Sequence, residues 1–542
     1  MNRYPTTYSM YARLLIIGLV SSCAAIEDPI DDPAEDPGST EAGGALTVAA
    51  RTTATLALTS EGFVRGIATA RTREFRGIPY AAAPVGELRW KPPQQAARHP
   101  DILDATAFAN HCPQIAGFFG QASTTEDCLS VNVYTPRTAL GLRPVMVWIH
   151  GGALVTGESN DYDATRLVEQ GDVIVVTINY RLGTLGFMAH PALTAESPDH
   201  ASGNYGLLDQ QAALRWVQRN ILLFGGDPFR VTIFGESAGG LSVHAQLAAP
   251  SSRGLFQRAI VESGAYQLAQ PTLATAEAAG TAFATRAGCT DQSAACLRSL
   301  TVEQVLANQA GASPTIDHKF LTQSVISAFA SGQFNRVPVL EGANHDEWRL
   351  FVGLTDLVTG PTPAAAYGPS IAATLGVPAA AVPLFVAQYP LASYPSPDLA
   401  LAALGSDGIF DCNARFVEQK LSQFVPTFAY EFNDPDAPQR FVPPVTFPYA
   451  AAHASEIQYV FDLPTTVPAP AFTAGQRKLA DAMVAYWTAF AHTGQPNSFR
   501  TPRWPAYDAT RDVAQALVVP APRPESGFAA DHKCVFWDSL RQ

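Results

Sequence analysis

The chain has 542 residues, 47% of them hydrophobic, which is ample for a large core. Its formal charge is −13, and residues 1–45 carry much of that excess, leaving −8 for the remainder. No run of Lys and Arg occurs, so neither nucleic acid nor an anionic lipid surface is an expected partner, because phosphate binding needs clustered cations. Length alone suggests about two to four domains, but an α/β domain with insertions can run longer.

In chain order, Arg3 and Arg13 flank the start, and the apolar run LLIIGLV (14–20) follows. It is too short to span a bilayer, and residues 1–22 read as a secretory signal. The run ends VSSC, which resembles a bacterial lipobox with Cys23 as the lipidated residue. Ordinary cleavage near Ala24–Ala25 without lipid is the alternative. Residues 23–45 are acidic, contain Pro and Gly, and lack the large apolar groups a core needs, so a disordered tether is expected there. Residues 46–542 then form a single domain.

Within it, PVMVWIH (144–150) reads as a buried strand that runs into Gly151, Gly152 and Ala153. Consecutive small residues let backbone N–H groups approach a substrate oxygen, and His150 reads as structural. DVIVVTIN (172–179) is a second buried strand, and GLLDQQAALRWVQRNI (206–221) is an amphipathic helix. RVTIFG (230–235) is a third strand and leads into Gly235-Glu236-Ser237-Ala238-Gly239, the sole G-x-S-x-G in the chain. Strand before and helix after is the setting of a nucleophile elbow, with the helix N-terminus facing developing negative charge. With the N–H of Ala238, the small-residue run after 149 makes a three-donor oxyanion site.

Further strands are RAIVESG (258–264), RVPVLEG (336–342) and PTFAYEF (426–432). Residues 265–335 and 355–425 are Ala-rich and read as helical excursions covering one end of the sheet. QRKLADAMVAYWTAFAHTG (476–494) is a helix with Gly494 as C-cap. Strand–helix alternation predicts an α/β fold with a mainly parallel sheet.

A serine hydroxyl is a weak nucleophile and needs a base, which needs an orienting acid. After such an elbow the order is serine, acid, histidine. Of His453, His492 and His532, the first lies in a loop beyond a strand, the second near a helix end, and the third beside Cys534. For the acid, Asp346 and Glu347 both follow the strand ending at 342, and residue chemistry does not separate them. Seven cysteines minus Cys23 leave six, for which fifteen pairings exist; no Cys-x-x-Cys or His-rich spacing supports a metal site.

Together, FRGIPYAAAPVGELRWKPP (75–93), EDCLSVNVYTP (126–136), WIHGGA (148–153), NYRLGTLGF (179–187), FGGDPFRVTIFGESAGG (224–240), ANHDEW (343–348) and HASEIQYVF (453–461) stand in one order along the chain. In these blocks the chain resembles the type-B carboxylesterases, the family of cholinesterases and bacterial nitrobenzyl esterases. The resemblance implies an α/β-hydrolase fold, a mainly parallel central sheet with helices on both faces and helical insertions over the active-site end. It implies Ser237 as nucleophile, Glu347 rather than Asp346 as acid, His453 as base, and Gly152, Ala153 and Ala238 as oxyanion donors. It further implies disulfides Cys112–Cys128, Cys289–Cys296 and Cys412–Cys534, leaving Cys23 unpaired.

Three positions depart from the pattern. The loop between Cys112 and Cys128 holds no tryptophan to bind a quaternary ammonium, Trp348 stands where many relatives have glycine, and Ala153 replaces a third glycine. The expected activity is hydrolysis of a small-molecule carboxylic ester through an acyl-enzyme, with no metal or cofactor implied. The expected location is exported, either lipid-anchored to a bacterial membrane or secreted, with the lipid as the sole membrane contact. A catalytically silent binding or adhesion module is the alternative.

Overall fold

The apolar runs read from the sequence become neighbouring strands of one sheet in the computed structural model, which describes residues 53–117, 119–138 and 141–541. The segment 1–22 that reads as a signal, Cys23, the expected tether and everything else before residue 53 lie outside the described residues. The strands are β1 (Thr53–Leu58), β2 (Phe63–Ala68), β3 (Thr72–Pro79), β4 (Leu103–Asp104), β5 (Ser130–Pro136), β6 (Arg143–Ile149) and β7 (Ile174–Ile178). They continue as β8 (Gly226–Glu236), β9 (Arg258–Glu262), β10 (Val339–Asn344), β11 (Thr427–Phe432), β12 (Ala514–Leu517) and β13 (Arg523–Glu525).

Their order is β1-β2-β3-β5-β7-β6-β8-β9-β10-β11-β12-β13, with β4 beside β2. From β7 to β12 all neighbours are parallel. Side chains of β6 alternate between two apolar layers. Val145, Val147 and Ile149 pack with Leu214 and Val217 of helix Tyr205–Asn220 and with Leu241 of helix Ala238–Ala248. Met146 and Trp148 face the other way, onto Leu479, Met483, Trp487 and Phe490 of helix Ala474–Thr493. Helices therefore cover both faces, which is why these strands read as continuous hydrophobic runs. The last helix starts in a Thr473–Gln476 capping box and stops at Gly494, whose φ of 79° suits a glycine.

The antiparallel part, β1, β2, β3 and β5, has no counterpart among the strands predicted from apolar runs. β2 alternates exposed and buried residues, and Leu56, Leu58 and Phe63 remain about half exposed, so no continuous apolar signal exists there. The Ala-rich excursions are helical as expected. The second holds its own core, including Trp348, Tyr367, Phe385, Leu404, Phe410 and Trp537. Its last turns are π-helical over Ser406–Asp411 before helix Cys412–Leu421.

The three disulfides are the pairs the resemblance implies: Cys112–Cys128, Cys289–Cys296 and Cys412–Cys534. The last joins residues 122 apart and holds the C-terminal helix Cys534–Ser539 to the second excursion. A long closed loop restrains the unfolded chain most. Replacing Cys412 and Cys534 together by Ser lowers unfolding free energy by about 2–5 kcal/mol, measured by urea denaturation of the non-reduced proteins.

Candidate active site

β8 ends at Glu236, and the next residue turns abruptly. Ser237 has φ 55° and ψ −119°, outside the ordinary regions for a residue with a Cβ, and helix Ala238–Ala248 starts immediately after it. Two backbone bonds hold the turn: Ser237 N–H donates to Glu262 O at 2.8 Å, and Leu241 N–H donates to Ser237 O at 2.8 Å. The flanking glycines are steric necessities. A Cβ on Gly239 would overlap the Ile149 carbonyl oxygen, and one on Gly235 would lie 2.5 Å from the same atom. Ser237 keeps 9% of its surface exposed, whereas Ala238 has none.

Two loops from the same sheet edge meet beside it. His453 Nδ1 lies 2.5 Å from Glu347 Oε2, and Asn344 N–H donates to Glu347 Oε1 at 2.8 Å. Backbone bonds join the loops: Asp346 N–H to Ala451 O at 3.0 Å and His453 N–H to Glu347 O at 3.2 Å. The two candidate acids are thereby separated. Asp346 pairs with Arg349 at 2.8 Å, and Glu347, with no exposed surface, takes the imidazole. Rings of Phe351 and Phe410, at 5.1 and 4.9 Å, flank His453 and keep water from the contact.

On the other side of the serine, β6 runs into Gly151 and Gly152. A Cβ on Gly151 would stand 3.2 Å from Ser237 Cβ, so this turn lies against the elbow. The N–H groups of Gly152, Ala153 and Ala238 donate to no acceptor among the described residues. Three free donors beside a serine suit an oxygen that acquires negative charge. Ala153 holds a left-handed φ of 54°, where the glycine it replaces would be unstrained. His150 is bonded to Gly151 O, stacks on Tyr180 at 4.4 Å, and is pushed down to about 4 by burial, so it is a structural imidazole.

Sequence reasoning missed the acids around His453. His453 Nε2 lies 3.2 Å from Glu236 Oε1, and no hydrogen bond joins Nε2 to Ser237 Oγ in this structure. Burial alone would lower the His453 pKa, but Glu236 and Glu347 overcome it and raise it to about 9. Burial pushes Glu262 up to about 8 and Glu456 to about 7, with neighbouring carboxylates adding to both. Glu236 is held well above the usual carboxylate range by burial, against the pull of His453 and with Glu456, Glu347 and Glu262 adding to it. An acid directly before the serine, at the end of a buried strand, was the available signal.

The other candidate histidines are engaged elsewhere. His492 Nε2 bonds to Gly171 O at 3.0 Å, and His532 is enclosed by Asp407, Asp411 and Glu431. Trp348 packs against Gly405, where a Cβ would overlap its ring, and against Phe351 at 4.4 Å. Among the described residues, those with metal-ligand spacing are Asp407, Asp411 and His532, and His345, Asp531 and His532; neither group includes Ser237, Glu347 or His453.

The family described as the carboxylesterase family matches residues 53–537. The para-nitrobenzyl esterase of Bacillus subtilis (strain 168) is 36% identical over 484 residues, 84% of this chain and 93% of its own. The acylcarnitine hydrolase of Mus musculus is 36% identical over 477 residues, 82% and 83% of the two chains. The fumonisin B1 esterase of Sphingopyxis macrogoltabida is 34% identical over 476 residues, 84% and 85%.

The contact between Glu236 and Nε2 has a measurable consequence. A carboxylate stabilises the imidazolium, so Glu236→Gln removes that support and lowers the His453 pKa. NMR titration of selectively labelled histidine is expected to show a fall of about one unit or more; an unchanged midpoint contradicts the assignment.

Proposed function

The chain belongs to the carboxylesterase family and is a carboxylic ester hydrolase, and on that premise we propose that it works through an acyl-enzyme on Ser237. His453 takes the Ser237 proton on Nε2 as Oγ attacks the ester carbonyl. Glu347 holds Nδ1–H and offsets the imidazolium charge. The N–H groups of Gly152, Ala153 and Ala238 receive the carbonyl oxygen as it becomes anionic. His453 then delivers the proton to the leaving alcohol, and water, activated by the same imidazole, releases the acid. The 2.5 Å contact of His453 with Glu347 beside the strained serine is the observation that carries this reading.

For Nε2 to serve the serine, the imidazole turns from Glu236 toward Oγ. A neutral Glu236 releases it more readily than an anionic one, and burial favours the neutral form. Glu236 and His453 therefore titrate as a pair. The aromatic surround of Phe351, Phe410 and Tyr266 suits uncharged esters. The loop between Cys112 and Cys128 supplies no tryptophan face for a quaternary ammonium, which disfavours choline esters.

We also propose that the protein is exported and that Cys23 carries a lipid, a reading supported by three disulfides, which persist in oxidising compartments.

Ser237→Ala is expected to abolish labelling by a fluorophosphonate and to lower kcat/KM for p-nitrophenyl butyrate by about 10⁴-fold or more. Glu347→Gln keeps the nucleophile and loses about 10³–10⁴-fold. Undiminished labelling of Ser237→Ala overturns the assignment. Mass spectrometry of the mature N-terminus is expected to find an acylated Cys23; an unmodified N-terminus at or beyond that residue contradicts the anchor.

A further inference from the structure

The C-terminal segment buries a second histidine among acids, apart from the serine site. His532 is 2% exposed. Its Nε2 lies 2.6 Å from Glu431 Oε1, and its Nδ1 lies 2.8 Å from Asp407 Oδ1 and 3.2 Å from Asp411 Oδ2. Asp407 and Asp411 are about one turn apart on the π-helical stretch and converge on the same nitrogen. Asp411 has no exposed surface, and apart from the His532 ring at 3.2 Å neither of its oxygens has a partner among the described residues. A buried carboxyl group with so few donors leaves oxygen lone pairs open to a cation.

Spacing and donor chemistry select the cation. Asp407, Asp411 and Glu431 bring three carboxyl groups to one imidazole, and a divalent cation bound there takes the place of the His532 Nδ1 proton, which leaves to solvent. Ligand atoms at the corners of a zinc tetrahedron lie about 3.3 Å apart, given bonds of about 2.0–2.1 Å. Here the Nδ1–oxygen separations are already 2.8 and 3.2 Å, and all three ligand atoms lie within 4.8 Å of one another. An imidazole with two carboxylates suits zinc, whereas calcium and magnesium prefer oxygen alone.

The outer partners are in place as well. Glu431 accepts the Nε2–H and so aims Nδ1 at the two aspartates, the orientation common to metal-bound histidines. Tyr389 donates its hydroxyl to Asp407 Oδ2 at 2.6 Å, leaving Oδ1 for the site. The alternative grouping through His345 and Asp531 is weaker, because Asp531 is exposed and His532 Nε2 is taken by Glu431.

We propose that Asp407, Asp411 and His532 form a structural zinc site that fastens the C-terminal segment to the second helical excursion. The Cys412–Cys534 bond joins the same two segments one and two residues away, so the ligands are already gathered when the metal arrives. Pre-gathering lowers the ordering cost of binding.

The test uses tag-free mature protein, stripped with dipicolinate, loaded with one equivalent of zinc sulfate and passed through gel filtration. Elemental analysis is expected to find one zinc per chain, and Tm to rise by about 3 °C or more over the stripped form in excess zinc. Asp411→Asn is expected to retain at least tenfold less zinc, and Asp531→Asn to retain it fully. Wild-type protein that holds no zinc above the buffer blank overturns the proposal, whether or not Asp411→Asn folds. Equal retention by wild type and Asp411→Asn overturns it too. Ester hydrolysis by the stripped protein is independent of either result.

Discussion

Ser237 stands in a backbone conformation that a residue with a Cβ adopts only under constraint, and the constraint is the edge of the parallel sheet. Its N–H is fixed to the end of β9, and Gly239 rests on the end of β6. Registers such as Ile149 with Gly235, Glu236 with Glu262, and Asn344 with Phe432 bring the strand ends to one rim. From that rim the chain hands over the serine, the glycine turn, the acid and the loop of His453. A left-handed φ at a non-glycine residue costs of order 1–3 kcal/mol, and only a fully packed surround sustains it. The two apolar layers on either face of the sheet supply that surround.

The same rim concentrates negative charge. Glu236, Glu347 and Glu456 are buried around one imidazole, and Glu262 is buried next to Glu236 and Glu456. Four ionised carboxylates cannot share so dry a space with a single cation, so some hold protons. Glu262 gains support from the Trp487 indole N–H at 2.9 Å, and Glu456 from Asn344. Glu347 receives the Asn344 backbone N–H and the His453 ring, which suits the anion. Glu347 thus meets the Nδ1 side of His453, and Glu236, held well above the usual carboxylate range by burial, meets its Nε2 side.

Parts of this were legible in the sequence. β6 to β11 announced themselves because both faces are covered, and the G-x-S-x-G after β8 marked the elbow. β1 to β3 did not, since one face is open to solvent and the apolar residues only alternate. Asp346 and Glu347 could not be separated by residue type, because the choice is made by direction. Arg349 and the Ala451 backbone draw Asp346 aside, while the Asn344 N–H turns Glu347 inward. The surround of His532 was hidden for a different reason: Asp407 is 125 residues away from it in sequence, so no local spacing betrays the group. Trp348 is explained by its partner, since glycine at 405 leaves the room its ring fills.

The central claim is that Ser237, His453 and the three free N–H groups act on one carbonyl. A crystal structure of the protein inhibited by a phosphonate ester tests it most directly. The account predicts a phosphorus–Oγ bond at Ser237, the phosphoryl oxygen about 2.7–3.1 Å from the N–H groups of Gly152, Ala153 and Ala238, and His453 Nε2 turned from Glu236 toward the reacting oxygens. Phosphorus on another residue, or a phosphoryl oxygen directed away from those donors with Nε2 still on Glu236, would contradict it.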